Sequence, residues 1–212
     1  MLLRNQTLSL LPSLIRSSYG DLMEEFQEVL TSRRTIYRFK DDPVDRNELE
    51  VAFMAARNAP CHKQTNPWRF YVLGSEARGM MVPEIERLAI KKANNIETVD
   101  LDNVVARAVR KILHPPVLIC VTSLKSPEDA FREQEDYAAT VCATHNLVLS
   151  LWSKGIGCQW STGTITRSNA AYSAIGASRD VERIIGFIKA GYPEEIPRRE
   201  KKDLIEIRSY LD

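Results

Sequence analysis

The chain has little with which to bind a metal or build a disulfide framework. Its three histidines, His62, His114 and His145, stand far apart in different contexts. The four cysteines, Cys61, Cys120, Cys142 and Cys158, form no C-x-x-C pair, and none lies at zinc-ligand spacing from a second pair, so no metal site is expected. Cys120 and Cys142 sit in apolar runs and read as small core residues, reduced as in a cytoplasmic chain. No apolar run reaches the roughly 18 residues of a membrane span. Net charge is also nearly absent. The 29 Lys+Arg against 28 Asp+Glu leave +1, which gives no global basic field to argue for nucleic acid. G-x-G-x-x-G and the P-loop lysine motif are both missing, so a dinucleotide or triphosphate site of the usual kind is not supported.

What remains describes a globular chain of ordinary composition. Its 212 residues suit one domain with a full core, or one subunit of an oligomer. Hydrophobic residues make up 44% and charged residues 27%, as for a globular rather than a disordered chain. The opening MLLRNQTLSLLPSLIRSSYG carries no acid before Asp21. It suits a transit peptide or a short amphipathic arm, while Pro12 breaks an apolar core already too short for a secretory signal. The reading is an N-terminal extension, 1–21, followed by a single domain, 22–212.

Periodicity alternates between helix and strand. DLMEEFQEVLTSR puts Leu22, Phe26, Val29 and Leu30 on one helical face. Asp45 with Glu48 reads as a capping box opening a second helix, whose stripe is Leu49, Ala52, Phe53 and Ala56. WRFYVLG, VLICVTS, GCQWS and RIIGFIKAGYP read as strands. SEARGMMVPEIERLAIKKA is helical with a break at Pro83, and DNVVARAVRKIL and SNAAYSAIG are helical. The longest helix runs from about Glu128 to Lys154. From Ala138 to Trp152 it is apolar almost all round, so it needs cover on several sides, from its own domain or from a partner chain. The class is α+β.

Four stretches could carry chemistry. Arg33, Arg34 and Thr35 can grip a phosphate through charge-assisted bonds, or stand as a solvated pair at a helix C-terminus. In APCHKQTNPWRF, Pro60 and Pro67 stiffen a loop that offers His62, Lys63 and Gln64 as donors, or as ordinary surface groups. In GIGCQWSTG, Trp160, Ser161, Thr162 and Gly163 end a strand whose N–H groups can face a flat polar ring, unless this is only a tight turn. The tail cluster around Arg199 and Lys201 is either a solvated patch or a second set of phosphate donors.

In order, these pieces resemble the flavin-dependent nitroreductase family. An R-R-S-[IV]-[RK]-x-F run appears as Arg33-Arg34-Thr35-Ile36-Tyr37-Arg38-Phe39. A helix ending in A-x-x-A-P appears as Ala56 to Pro60, and Q-P-W-x-F as Asn66-Pro67-Trp68-Arg69-Phe70. G-[LI]-G appears as Gly155-Ile156-Gly157, and G-[YT]-P as Gly191-Tyr192-Pro193. The loop is most similar to the small YdjA-like subgroup, with A-P-D-H-K as Ala59-Pro60-Cys61-His62-Lys63 and W-R-S-G as Trp160-Ser161-Thr162-Gly163.

The resemblance implies a nitroreductase-like fold: a mixed central sheet flanked by helices, with the long helix at a homodimer interface that holds two FMN sites. It implies that Arg33, Arg34 and Thr35 hold the phosphate and ribityl end, with Arg199 or Lys201 adding to them. His62, Lys63 and Gln64 would approach the partner's FMN, and Trp160 to Gly163 would lie along the flavin ring. Tyr37 stands where a basic residue is common. Asn58 and Ser161 replace arginines of the subgroup, and Cys61 replaces its aspartate. NAD(P)H would deliver hydride and leave before a nitroaromatic, quinone or related oxidant takes its place. No side chain need act as acid or base, so no catalytic residue is assigned. Two alternatives stay open. One is a flavin oxidase or dehalogenating reductase, for which Lys91 to Asn103 is the only candidate lid. The other is a non-catalytic FMN-binding protein.

Overall fold

The computed structural model of the protein describes residues 24–93 and 100–211. The N-terminal extension, Leu22 and the middle of the Lys91–Asn103 segment lie outside them.

Two of the strands are apolar on both faces, and this sets the layering. β2 (Val117–Leu124) and β4 (Glu182–Gly191) are buried along almost their whole length and pair antiparallel at the centre of the sheet. β1 (Trp68–Val72) and β3 (Gly157–Ser161) flank them, giving the order β1-β2-β4-β3. Successive side chains of β2 point to opposite faces. Val117, Ile119 and Val121 enter one hydrophobic cluster, and Leu118 and Cys120 the other.

The first cluster is closed by α2 (Arg46–Arg57) and α6 (Ala130–Ser153), the second by α3 (Ser75–Met80), α4 (Val82–Ala93), α5 (Leu101–Leu113) and α7 (Asn169–Ile175). The sheet is thus the middle of three layers. Ile119 and Ile188 of the sheet and Leu147 and Leu151 of α6 are fully buried in one cluster, each contributing roughly 1.5–3 kcal/mol.

Several expectations are corrected in detail. The four strands pair only antiparallel; the parallel element of the expected mixed sheet is a single bridge between Thr35 and Cys158. The helix break falls at Met81 rather than Pro83, because proline fits the first turn of α4, where its missing N–H has no partner to lose. Asp45 caps α2 by accepting from Asn47 N–H, whereas the reciprocal capping box belongs to Asp203 and Glu206 in the tail. Residues 24–32 form α1, but its apolar Phe26 and Leu30 are exposed on this chain. Cys120 is buried as expected, while Cys142 is exposed.

Two cationic side chains are buried on the side of the second cluster. Arg78 of α3 is 8% exposed, and among the described residues its guanidinium donates only to carbonyls: Leu73, Ile112, Leu113, Pro115 and Pro116. It closes the C-terminal end of α5 and ties it to the start of β2.

Lys189 of β4 is 4% exposed, and its ammonium donates to Gln159 Oε1 at 3.1 Å. Burial, reinforced by the nearby Lys111 charge, pulls its pKa down from the usual 10.5 to about 8. Below pH 8 both folded and unfolded chains carry this charge, and the burial penalty is felt in full. Between about 8 and 10.5 the folded chain releases its proton first, so stability rises with pH. Lys189→Met is therefore expected to stabilise the protein at pH 7 by about 1–3 kcal/mol and to flatten its stability profile above pH 8. Urea unfolding of both proteins at pH 7 and 9.5 checks this; a variant less stable at both pH values would overturn it.

Candidate functional site

The Arg33–Lys40 segment is not a regular strand, yet it is stitched down on two sides. Ile36 N–H donates to Cys158 O at 3.0 Å, beside the Thr35–Cys158 bridge. Lys40 N–H donates to Tyr192 O at 2.9 Å, and Glu194 N–H to Arg38 O at 3.2 Å. Gly157 makes the first contact possible. A Cβ there would lie 2.3 Å from Ile36 Cγ1, closer than a side chain tolerates, and in a tight 3.1 Å contact with Pro193 Cγ. Three separated motifs, Arg33–Phe39, Gly155–Gly157 and Gly191–Pro193, thereby become one surface.

Above that surface the tail returns. Arg33, Arg34, Thr35, Tyr37, Pro197, Arg199 and Lys201 line a cleft of about 80 Å³. Four cationic side chains and the hydroxyls of Thr35 and Tyr37 surround this volume, a donor set of the kind that can hold a phosphoryl group. The two arginines are differently engaged. Arg34 Nη1 donates to the carbonyls of Thr31, Ser32 and Arg33 at 2.9–3.1 Å, capping α1. Its helix-end reading therefore holds, and it also lines the cleft. Arg33 makes no side-chain hydrogen bond among the described residues. Its charge is felt by two neighbours. Partial burial first, and Arg33 second, lower the pKa of His145 on α6. Burial raises the Cys158 thiol to about 12, and Arg33 opposes that rise. Tyr37 is 58% exposed.

The other expected site residues lie outside this cleft. Asn58 ends α2 as its C-cap, its side-chain amide donating to Met54 O at 2.7 Å. His62, Lys63 and Gln64 form an exposed 3₁₀ turn. Lys63 (φ 53°), Gln64 (φ 52°) and Asn66 (φ 46°) all occupy the left-handed region without being glycine. Such positions cost of order 1–3 kcal/mol each and persist where neighbouring bonds impose them. Trp160 is partly buried, its indole N–H donating to Ile185 O at 3.3 Å. It lies over Gly186, beside a bulge in the β2–β4 ladder, where a Cβ would approach Trp160 Nε1 to 2.1 Å. Thr162 and Gly163 are exposed and Ser161 is partly so.

Sequence reasoning passed over Pro197, Gly186 and the pair Thr65–Asp136. Asp136 carried the available signal: it is an acid at the edge of the apolar part of α6, and it is 5% exposed. A larger apolar groove of about 710 Å³ runs between α4 and α5, past Ile90, Leu101, Val105, Val109 and Leu113. None of the expected site residues reaches it.

The sequence model of the Nitroreductase family matches residues 30–192, which takes in both the Arg33 segment and the turn at Tyr192. The chain belongs to the nitroreductase family. Among its relatives, YfhC of Bacillus subtilis (strain 168), named for NAD(P)H nitroreductase activity, is 31% identical over 183 residues, 86% of this chain and 91% of that one. YdjA of Escherichia coli (strain K12), named in the same way, is 25% identical over 167 residues, 79% and 87% of the two chains. A nitroreductase-like family protein from Bacillus cereus superposes with a TM-score of 0.73 at 25% identity, covering 88% of this chain and 96% of that one. The fold is shared with iodotyrosine deiodinase bound to FMN and 3-iodo-L-tyrosine, at a TM-score of 0.67, 21% identity and coverage of 88% and 100%.

Proposed function

We propose that this nitroreductase-family protein is an FMN-dependent oxidoreductase with NAD(P)H as its hydride donor. It passes the hydride to nitroaromatics, quinones or related small acceptors in a ping-pong cycle. Residues 22–212 act as one catalytic domain. The observation that carries the reading is the cleft in which Arg33, Arg34, Thr35, Arg199 and Lys201 converge.

These residues fit the terminal phosphate of FMN. Cationic side chains from two remote segments balance its charge, and Thr35 supplies a neutral donor. FAD is disfavoured because the chain lacks an adenosine-binding glycine motif. When bound, FMN supplies the ring that accepts and donates hydride. The protein's part is to hold and surround it. Trp160, seated over Gly186, gives the end of β3 a rigid wall, and the exposed backbone at Thr162 and Gly163 can donate toward the ring. His62, Lys63 and Gln64 belong to a site built from two copies of the chain, which explains their distance from the phosphate cleft.

The homodimer follows from surface left bare. On α6, Ala138 and Cys142 are exposed, and Val141 and Leu149 are only partly covered. Ile205, Tyr210 and Leu211 of the tail are 83%, 82% and 93% exposed, and Phe26 of α1 is 56% exposed. Apolar surface on this scale resembles a core cut in half. No helix among the described residues is long and apolar enough to cross a membrane. All four cysteines are free, which agrees with a cytoplasmic setting.

The purified protein is expected to carry a flavin that chromatographs as FMN, to scatter light as about twice 24.1 kDa, and to bleach anaerobically with NADH or NADPH. A colourless protein that takes up no FMN would sink the reading. A bound flavin that neither nicotinamide reduces would leave a binding protein without this activity.

A further inference from the structure

Between the strained turn at Lys63 and the central helix there is one hydrogen bond among the described residues. Thr65 Oγ1–H donates to Asp136 Oδ1 at 2.5 Å. Asp136 is buried, and its other oxygen accepts from Arg132 Nε at 3.3 Å. The Thr65 proton is thereby committed to the carboxylate. In the 3.2 Å contact between Cys61 Sγ and Thr65 Oγ1, the thiol is then the donor. Asn66 N–H donates to the same sulfur at 3.3 Å, and Gln64 N–H to Cys61 O at 3.3 Å. The bonds among residues 61–66 close the turn on itself. Among the described residues, Thr65–Asp136 is the hydrogen bond that joins it to α6, beside the packing of Cys61 on the core.

We infer that Thr65 and Asp136 are a positioning pair that holds the His62–Gln64 turn in its ligand-ready conformation and so sets FMN affinity, an assignment that rests on the function proposed above. The turn contains no glycine to relieve its left-handed residues, so it persists only where bonds impose it, those among residues 61–66 and the one from α6. Asp136 supplies that constraint from a rigid element. Its helix also carries the bare apolar stripe, so the pair links the turn to the surface on which a second subunit would sit. Neither side chain contacts the flavin phosphate cleft. Their effect passes through the population of the competent turn: if that population falls to about a tenth, the apparent dissociation constant rises about tenfold.

The test compares wild type with Thr65→Val, Thr65→Ser and Asp136→Asn in the full chain. Each is measured by FMN titration of apoprotein, by amide hydrogen exchange across residues 61–66, and by apoprotein melting. Thr65→Val keeps the shape and loses the hydroxyl. It is expected to speed exchange in the turn and weaken FMN binding about tenfold. Thr65→Ser restores the donor and should stay within about twofold of wild type. A purely structural bond would lower the melting midpoint while leaving exchange in the turn and FMN affinity at wild-type values, and that result overturns the proposal. Should Thr65→Val fail to fold, Asp136→Asn, which replaces the charge-assisted acceptor by a weaker neutral one, supports the proposal by a smaller rise in exchange and a smaller loss of affinity in the same direction; wild-type values there overturn it. If wild type itself takes up no FMN, the functional reading fails, and the exchange comparison still decides whether the pair holds the turn.

Discussion

Replacing Arg78 by alanine is expected to destabilise the protein by about 3–5 kcal/mol, as for a buried charge network broken on one side. The guanidinium meets five carbonyl oxygens, with its shortest bonds to Pro115 O at 2.6 Å and Leu73 O at 2.9 Å. Truncation leaves those acceptors facing a space from which the donor has gone, and hydrogen bonds to a charged group are worth roughly 1.5–3 kcal/mol each when lost without replacement. Total stability of a domain is only about 5–15 kcal/mol, so the variant should be barely folded at physiological temperature. Arg78→Lys keeps the charge but not the planar fork and should fall between the two. Denaturant unfolding at one fixed protein concentration measures this, because a second subunit would contribute to the midpoint. A loss under about 1 kcal/mol would mean that water enters and takes over the carbonyls.

Arg78 also marks where sequence reading stops. In SEARGM it looks like any basic residue on a short helix. Its role exists only because α3, the end of α5 and the start of β2 meet around it. The strands were legible for the opposite reason. VLICVTS is a short apolar run and GCQWS a short stretch between glycine-bearing turns, and β2 and β3 occupy Val117–Leu124 and Gly157–Ser161. Their direction was not legible, since pairing depends on connections that a local pattern does not contain. The outer face of α6 was legible as apolar, but Cys142 was misplaced in the core because a buried and an uncovered apolar face look alike in one chain. At the candidate site, Arg33, Arg34, Thr35, Arg199 and Lys201 carry chemistry readable from residue type and motif order. Their convergence needed Gly157 to admit Ile36, a contact between positions more than a hundred residues apart. Thr65 and Asp136, 71 positions apart, gave no joint signal at all.

Arg33→Ala is expected to weaken FMN binding by about one to two decades while leaving apoprotein stability changed by well under about 1 kcal/mol. The two arginines of the cleft predict different outcomes because their other bonds differ. Arg34 also closes the carbonyls of Thr31, Ser32 and Arg33. Its removal should lower both affinity and the melting midpoint. Arg33 has no such second duty among the described residues, so its loss should appear in affinity alone. A readout independent of flavin confirms that the substitution acts where intended. Arg33 helps to hold the His145 pKa down, so in Arg33→Ala apoprotein the His145 titration should move upward. That shift follows from removing a like charge near the imidazolium. Proton NMR of the histidine and fluorescence titration with FMN can be run on the same sample. If His145 moves but FMN affinity does not, Arg33 lies where the structure puts it yet takes no part in binding. The cleft would then lose its central cation, and the phosphate would have to be held by Arg199 and Lys201. If affinity falls by the expected factor and Arg199→Ala produces a similar loss, the tail and the Arg33 segment form one anion site.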